Sequence, residues 1–199
     1  IGFSDATALH ISLFNAGIVS VHGPGLASFG IGDQFVDDFS WDALRSLLCE
    51  GRDSMLSGHF LCGPAEVASG KLIGGNLTVL ASLSGTKHAM KADGAIVVLE
   101  DVNEPTYKIE RSLWQLIASG ALAGATGLGF GELKGCGRND GNADCLKSAI
   151  REMVEPLSVP VVWGLPIGHG HRNVAFRHGV AANLDPYLGI SAHSRLKLE

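Results

Sequence analysis

The segment "GAIVVLED", residues 94–101, places the tightest limit on the fold. Its apolar residues run without a polar break between a glycine and an acidic pair. A half-exposed strand alternates apolar and polar; an unbroken run reads as a strand buried on both faces, which needs helices packed against its sheet. Helix-like segments flank it. "DATALHISLFNAG" carries a glycine stop at Gly17, and "DQFVDDFSWDALRSLLCEG" has apolar residues at helical spacing and the same kind of stop. "NLTVLASLSGT" follows "KLIGG" as a further short helix. "KIERSLWQLIASG" is amphipathic and ends at Gly120, and "DCLKSAIREMVEPL" is halted by Pro156.

The remaining strand candidates are "IVSVHGP", the glycine-rich "TGLGFGEL", "VPVVWGLPIGHG", and a closing group of "NVAFRHG", "VAANLD" and "LGISAHS". Strands alternating with helices, then a β-rich tail, indicate an α/β fold. With 199 residues and 46% hydrophobic content, the chain can bury a sizeable core.

The formal net charge of -5, with no basic block, argues against nucleic acid or an anionic membrane as a partner. No apolar run reaches the length of a membrane-spanning helix. Cys49, Cys62, Cys136 and Cys145 form no C-x-x-C pair, so a zinc ribbon is not expected. Cys136 and Cys145 bracket "CGRNDGNADC", where a disulfide is one reading. Reduced thiols in a cytoplasmic protein are the preferred one.

Open α/β sheets bind ligands at the carboxyl ends of their strands. Three such ends carry reactive side chains: Ser4 after "IGF", Glu100 closing "AIVVLE", and His169 beyond "VPVVWGLPIG". A hydroxyl becomes a nucleophile when a base removes its proton, imidazole suits that task near neutrality, and a carboxylate behind it fixes the tautomer. The order Ser, acid, His also occurs in α/β-hydrolases. Position alone gives simpler readings. Ser4 or Asp5 would serve as a helix cap, Glu100 as a solvated carboxylate, and His169 with His171 as half of a metal site. "GFSDA" lacks the last glycine of G-x-S-x-G, and "GHGHRN" supplies only two ligands, so no metal is expected.

"GFSDATALH", "VHGP", "GGNLTVLASLSGT", "GAIVVLEDVNEPTYKIERSLWQL" and "PVVWGLPIGH" occur in that order, and together they resemble the LD-carboxypeptidase family of serine peptidases. The resemblance implies Ser4 as nucleophile, His169 as base and Glu100 as the acid behind it. The Asp5 backbone N–H would be one oxyanion donor, and no cofactor is implied. It implies release of a terminal D-alanine from cytoplasmic murein tetrapeptide in peptidoglycan recycling, by a homodimer. The alternatives are the microcin C immunity branch, which cleaves a peptidyl-nucleotide with the same triad, and a non-catalytic domain that binds a partner chain.

The family's Rossmann-like N-terminal region carries an "R-G-G-Y-G"-like loop that nothing here matches. The expected organisation is therefore the end of that region over 1–30, with the nucleophile turn, and a swivelling β/α C-terminal domain over 31–199. The second oxyanion donor would lie upstream, leaving the isolated chain poorly active. For the substrate carboxylate, Arg111, Arg138 and Arg172 are available. Trp41 and Trp114, at helical spacing, are expected in core or helix-face packing.

Overall fold

The structure is a computed structural model that describes residues 1–25, 36–137 and 143–192. In chain order the elements are α1 (Thr7–Asn15), β1 (Ser20–His22), α2 (Asp38–Glu50), β2 (Leu56–Ser57), β3 (His59–Cys62), β4 (Ala68–Asn76), α3 (Leu77–Leu83), β5 (Ala95–Val102), α4 (Thr106–Ala118), β6 (Gly127–Lys134), α5 (Ala143–Val154), β7 (Val161–Trp163), β8 (Phe176–His178), β9 (Ala181–Asp185) and β10 (Gly189–Ala192). This is the mixed α/β class expected from the alternating pattern.

Eight strands form one sheet in the order β2-β10-β9-β4-β5-β6-β7-β3. Strands β4, β5, β6 and β7 run parallel, and the flanking pairs are antiparallel. The two edge strands, β2 and β3, are separated only by Gly58, so the sheet closes on itself through residues 56–62. Closure removes the open edges that would otherwise present unpaired backbone groups. No strand is legible in "MLSGHFLC" from sequence alone. Its pieces are too short to display a period, and pairing to opposite ends of the sheet defines them.

Alternation along β5 divides two cores. Ile96 and Val98 point inward with Leu56, Leu72, Val162 and Ile190. Val97 and Leu99 point outward to the helices, against Leu77, Ile109, Leu113 and Ile150. Both faces are therefore buried, as the unbroken apolar run requires. The glycines of "GLGFGEL" follow the same alternation. Leu128 and Phe130 face the helices, while a Cβ on Gly129 or Gly131 would stand 2.5 Å from Leu165 or Ile167 inside the barrel. A small barrel interior has no room there for a side chain.

The closing group of short strands divides between two sheets. "NVAFRHG" yields β8, which leaves the barrel and pairs antiparallel with β1 in a separate two-stranded ribbon. Trp41 and Trp114 are 46% and 63% exposed, so they lie outside the core. An apolar period identifies a face without guaranteeing that every large residue on the helix shares it. Gly51 does terminate α2, in the left-handed conformation at φ 65°. Among the described residues, no helix is long and apolar enough to cross a membrane. The four cysteines are free thiols, with Cys62 and Cys136 buried. Burial pushes the Cys136 thiol up to about 11.

Candidate active site

Residues 1–3 form a short extended lead beside β1. Gly2 bridges His22 in parallel, its N–H donating to the Val21 carbonyl at 3.1 Å while its own carbonyl accepts from the Gly23 N–H at 3.0 Å. The chain then turns sharply. Ser4 has φ 59°, in the left-handed region that residues with a Cβ seldom occupy. A single 3-10 turn, Ser4–Ala6, leads into α1. This strand–turn–helix geometry lifts the hydroxyl clear of the backbone, as a nucleophile elbow does.

Helix capping does not account for Ser4. The N-cap of the 3-10 turn is Phe3, and that of α1 is Ala6; neither receives a side-chain cap bond. Asp5 and Thr7 do not cap α1 either. The Thr7 hydroxyl instead accepts the Asn76 N–H at 3.0 Å, docking α1 on the carboxyl end of β4. Asp5 is exposed. Its N–H belongs to the first residues of a helical turn, whose amides have no partner within that turn.

Glu100 lies near the carboxyl end of β5, on the inward face continued from Ile96 and Val98, and has no exposed surface. Its Oε2 lies 2.8 Å from His169 Nδ1, and His169 Nε2 lies 3.1 Å from Ser4 Oγ. A carboxylate only accepts, so Nδ1 carries the proton and Nε2 is free to receive one from the hydroxyl. Asp101, the next residue, faces the opposite side. It accepts from Asn76 Nδ2 and from both the N–H and hydroxyl of Thr78, fixing the start of α3. Two adjacent carboxylates thus receive different tasks from the strand pleat.

The loop carrying His169 is anchored at several points. The Glu132 N–H donates to the Ile167 carbonyl at 2.8 Å. Asn173 Oδ1 accepts the Gly168 N–H at 3.3 Å. Lys134 Nζ donates to the His169 carbonyl at 3.0 Å. Phe3 packs on the imidazole with ring centroids 4.9 Å apart. His171 is exposed, and the described residues contain no group of three side chains able to hold a metal ion.

The sequence reading did not single out the layer behind the elbow. His10 Nε2 donates to the Gly2 carbonyl at 2.9 Å, and its Nδ1 accepts from the Ser20 hydroxyl at 2.8 Å. His178 stacks on His10 at 5.5 Å, and His22 stacks on Phe176 at 4.7 Å. Burial is the leading cause that lowers the pKa of each of these three histidines; that of His178 falls to about 4. They serve as neutral packing groups. Scattered through the sequence as single residues, they carry no motif.

Of the carboxylate candidates, Arg111 lies over Tyr107 on the surface of α4, and Arg172 is bonded to Asp37 at 2.7 Å and lies over Phe39. Arg138 lies outside the described residues. A cavity of about 470 Å³ sits beside the His169 loop, lined by Phe39, Met55, Trp163, Leu165 and Arg172. Ser4, Glu100 and His169 do not line it.

A closed, helix-wrapped barrel with a serine elbow, imidazole and buried carboxylate at one end describes a hydrolase-like α/β protein. The LD-carboxypeptidase C-terminal domain model matches residues 69–184, and the chain belongs to that family. It is 36% identical over 191 residues to the murein tetrapeptide carboxypeptidase of Pseudomonas aeruginosa, covering 93% of this chain and 62% of that protein. It is 30% identical over 189 residues to a probable murein peptide carboxypeptidase of Bacillus subtilis, covering 92% and 59%. The crystal structure of muramoyltetrapeptide carboxypeptidase from Oxalobacter formigenes superposes with a TM-score of 0.80 at 31% identity, covering 95% of this chain and 65% of that one. The microcin C7 self-immunity protein MccF shares the fold, with a TM-score of 0.80 at 20% identity, covering 98% and 68%. The chain spans about three fifths of the length of the curated relatives it matches.

Proposed function

We propose that this chain carries the catalytic residues of a serine carboxypeptidase that releases a terminal D-amino acid from a murein-type peptide in the cytoplasm. The observation that carries this reading is the continuous hydrogen-bonded series Ser4–His169–Glu100. Residues 1–30 are read as the end of an N-terminal region that brings the nucleophile to the C-terminal α/β domain.

Ser4 Oγ attacks the scissile carbonyl carbon as its proton passes to His169 Nε2. Glu100 stabilises the imidazolium through Nδ1–H without taking its proton. The carbonyl oxygen becomes an oxyanion, and in this reading the Asp5 N–H donates to it. Collapse breaks the C–N bond, and His169 gives its proton to the leaving amine. Water, deprotonated by the same imidazole, then hydrolyses the acyl-serine and restores the hydroxyl. The chain's own residues account for each proton transfer.

The murein relatives support this substrate class at 30% to 36% identity, whereas MccF at 20% identity supports only the fold. The test is to assay the full-length protein and its Ser4→Ala variant for D-alanine release from murein tetrapeptide. A fluorophosphonate probe labels the serine in parallel. Wild type should release D-alanine and react with the probe; Ser4→Ala should do neither while keeping its melting temperature. Labelling without D-alanine release, together with cleavage of a peptidyl sulfamoyl nucleotide, would move the substrate to the immunity branch. No labelling would leave a non-catalytic binding domain.

A further inference from the structure

We propose that the Lys134 ammonium receives the free carboxylate of the residue that is cleaved off. The inference rests on the carboxypeptidase reading above and identifies the group that makes the site prefer a chain end.

The argument begins with the side of the site on which the leaving residue must lie. His169 gives its proton to the leaving amine, so the departing residue lies against the imidazole. Its carboxylate lies two bonds beyond the leaving nitrogen, about 2.5 Å away. A cation serving that carboxylate must therefore sit beside the His169 loop. Lys134 is there. It is the last residue of β6, pairs across the sheet with Val102 of β5, and donates from Nζ to the His169 carbonyl at 3.0 Å. The same strand end contacts the loop elsewhere, since a Cβ on Gly168 would stand 3.0 Å from the Glu132 carbonyl and the Glu132 carboxylate lies against Gly170.

An ammonium has three donors. The His169 carbonyl uses one and leaves two. Several other cations of the described residues are differently engaged. Arg172 is paired with Asp37, Arg177 with Asp53, Lys108 with Glu104 and Arg151 with Glu155. Arg111 and Lys147 lie over Tyr107 and Trp163. Among the described residues no carboxylate pairs with Lys134. It is also only partly exposed, so a charge-assisted bond there is less screened than on the open surface. A tether to the His169 backbone holds the ammonium in register with the imidazole, and thus with the bond to be cut.

The test uses the full-length protein in a Ser4→Ala background and a pair of peptides ending in D-alanine, one a free acid and the other a C-terminal amide. Calorimetry should show that the protein with Lys134 intact prefers the acid. Lys134→Met should weaken acid binding by roughly 10- to 100-fold and leave amide binding unchanged, while Lys134→Arg should retain most of the preference. In the protein with Ser4 intact, Lys134→Met should raise KM for the acid more than it lowers kcat. Equal loss on acid and amide, confined to kcat, would reduce Lys134 to positioning His169 and overturn the proposal. Equal binding of acid and amide by the protein with Lys134 intact would overturn it as well. Lys134-dependent preference for the acid without any D-alanine release would instead fell the catalytic reading and leave the carboxylate site standing.

Discussion

His169 Nδ1 lies 2.8 Å from Glu100 Oε2, and that carboxylate has no exposed surface. Burial is costly for a charge unless a partner compensates it, and the imidazole N–H is such a partner. The bond also fixes the tautomer that leaves Nε2 facing Ser4.

Glu100→Gln should therefore damage turnover while leaving substrate affinity nearly intact. The amide can donate to Nδ1, favouring the wrong tautomer, and it cannot balance the imidazolium. A loss of about 10³- to 10⁴-fold in kcat with little change in KM is expected. Steady-state kinetics on the full-length protein would check this, with circular dichroism verifying the fold. An unchanged kcat would remove Glu100 from the mechanism.

Gly131→Ala should couple barrel packing to the site. The added Cβ would stand 2.5 Å from Ile167 Cγ1, 2.7 Å from the Ile167 carbonyl oxygen and 3.2 Å from Glu100 Cβ. Overpacking of this kind costs about 1–3 kcal/mol. The relief is a shift of the 165–169 segment, and a misplacement of about 1 Å in a catalytic group can cost some 100-fold in rate. Chemical denaturation and kcat should fall together; wild-type activity at reduced stability would show that the loop absorbs the methyl group elsewhere.

Acid should destabilise the protein through the histidines behind the elbow. Burial holds His178 at about 4, below its ordinary 6.5, and lowers His10 and His22 as well. Between those values the unfolded chain binds protons that the folded one refuses, so stability rises with pH. The cost appears as pH falls below 6.5 and, for His178, levels off below about 4, reaching roughly 3 kcal/mol. His178→Gln should flatten the pH dependence of urea midpoints across that window. An equally steep profile in the variant would place the acid sensitivity elsewhere.

The sequence by itself determined the local chemistry and much of the order of elements. "GAIVVLED" is unbroken because β5 is covered on both faces, and Gly51 stops α2 because a left-handed residue is easiest for glycine. Ser4, Glu100 and His169 stood out because reactive side chains at strand ends are legible as residue types. Tertiary structure alone decided how these residues meet. Ser4 and His169 are 165 positions apart, and only closure of the sheet and docking of Thr7 on Asn76 bring them within 3.1 Å. Glu100 and Asp101 are both acids at one strand end; the pleat sends one to the imidazole and the other to α3. Strands β2 and β3 owe their existence to partners at the two ends of the sheet, and Lys134 owes its position to a backbone carbonyl 35 residues away. Short-range preferences are written in neighbouring residues, whereas contacts between distant segments depend on how faces pack, which no local window contains.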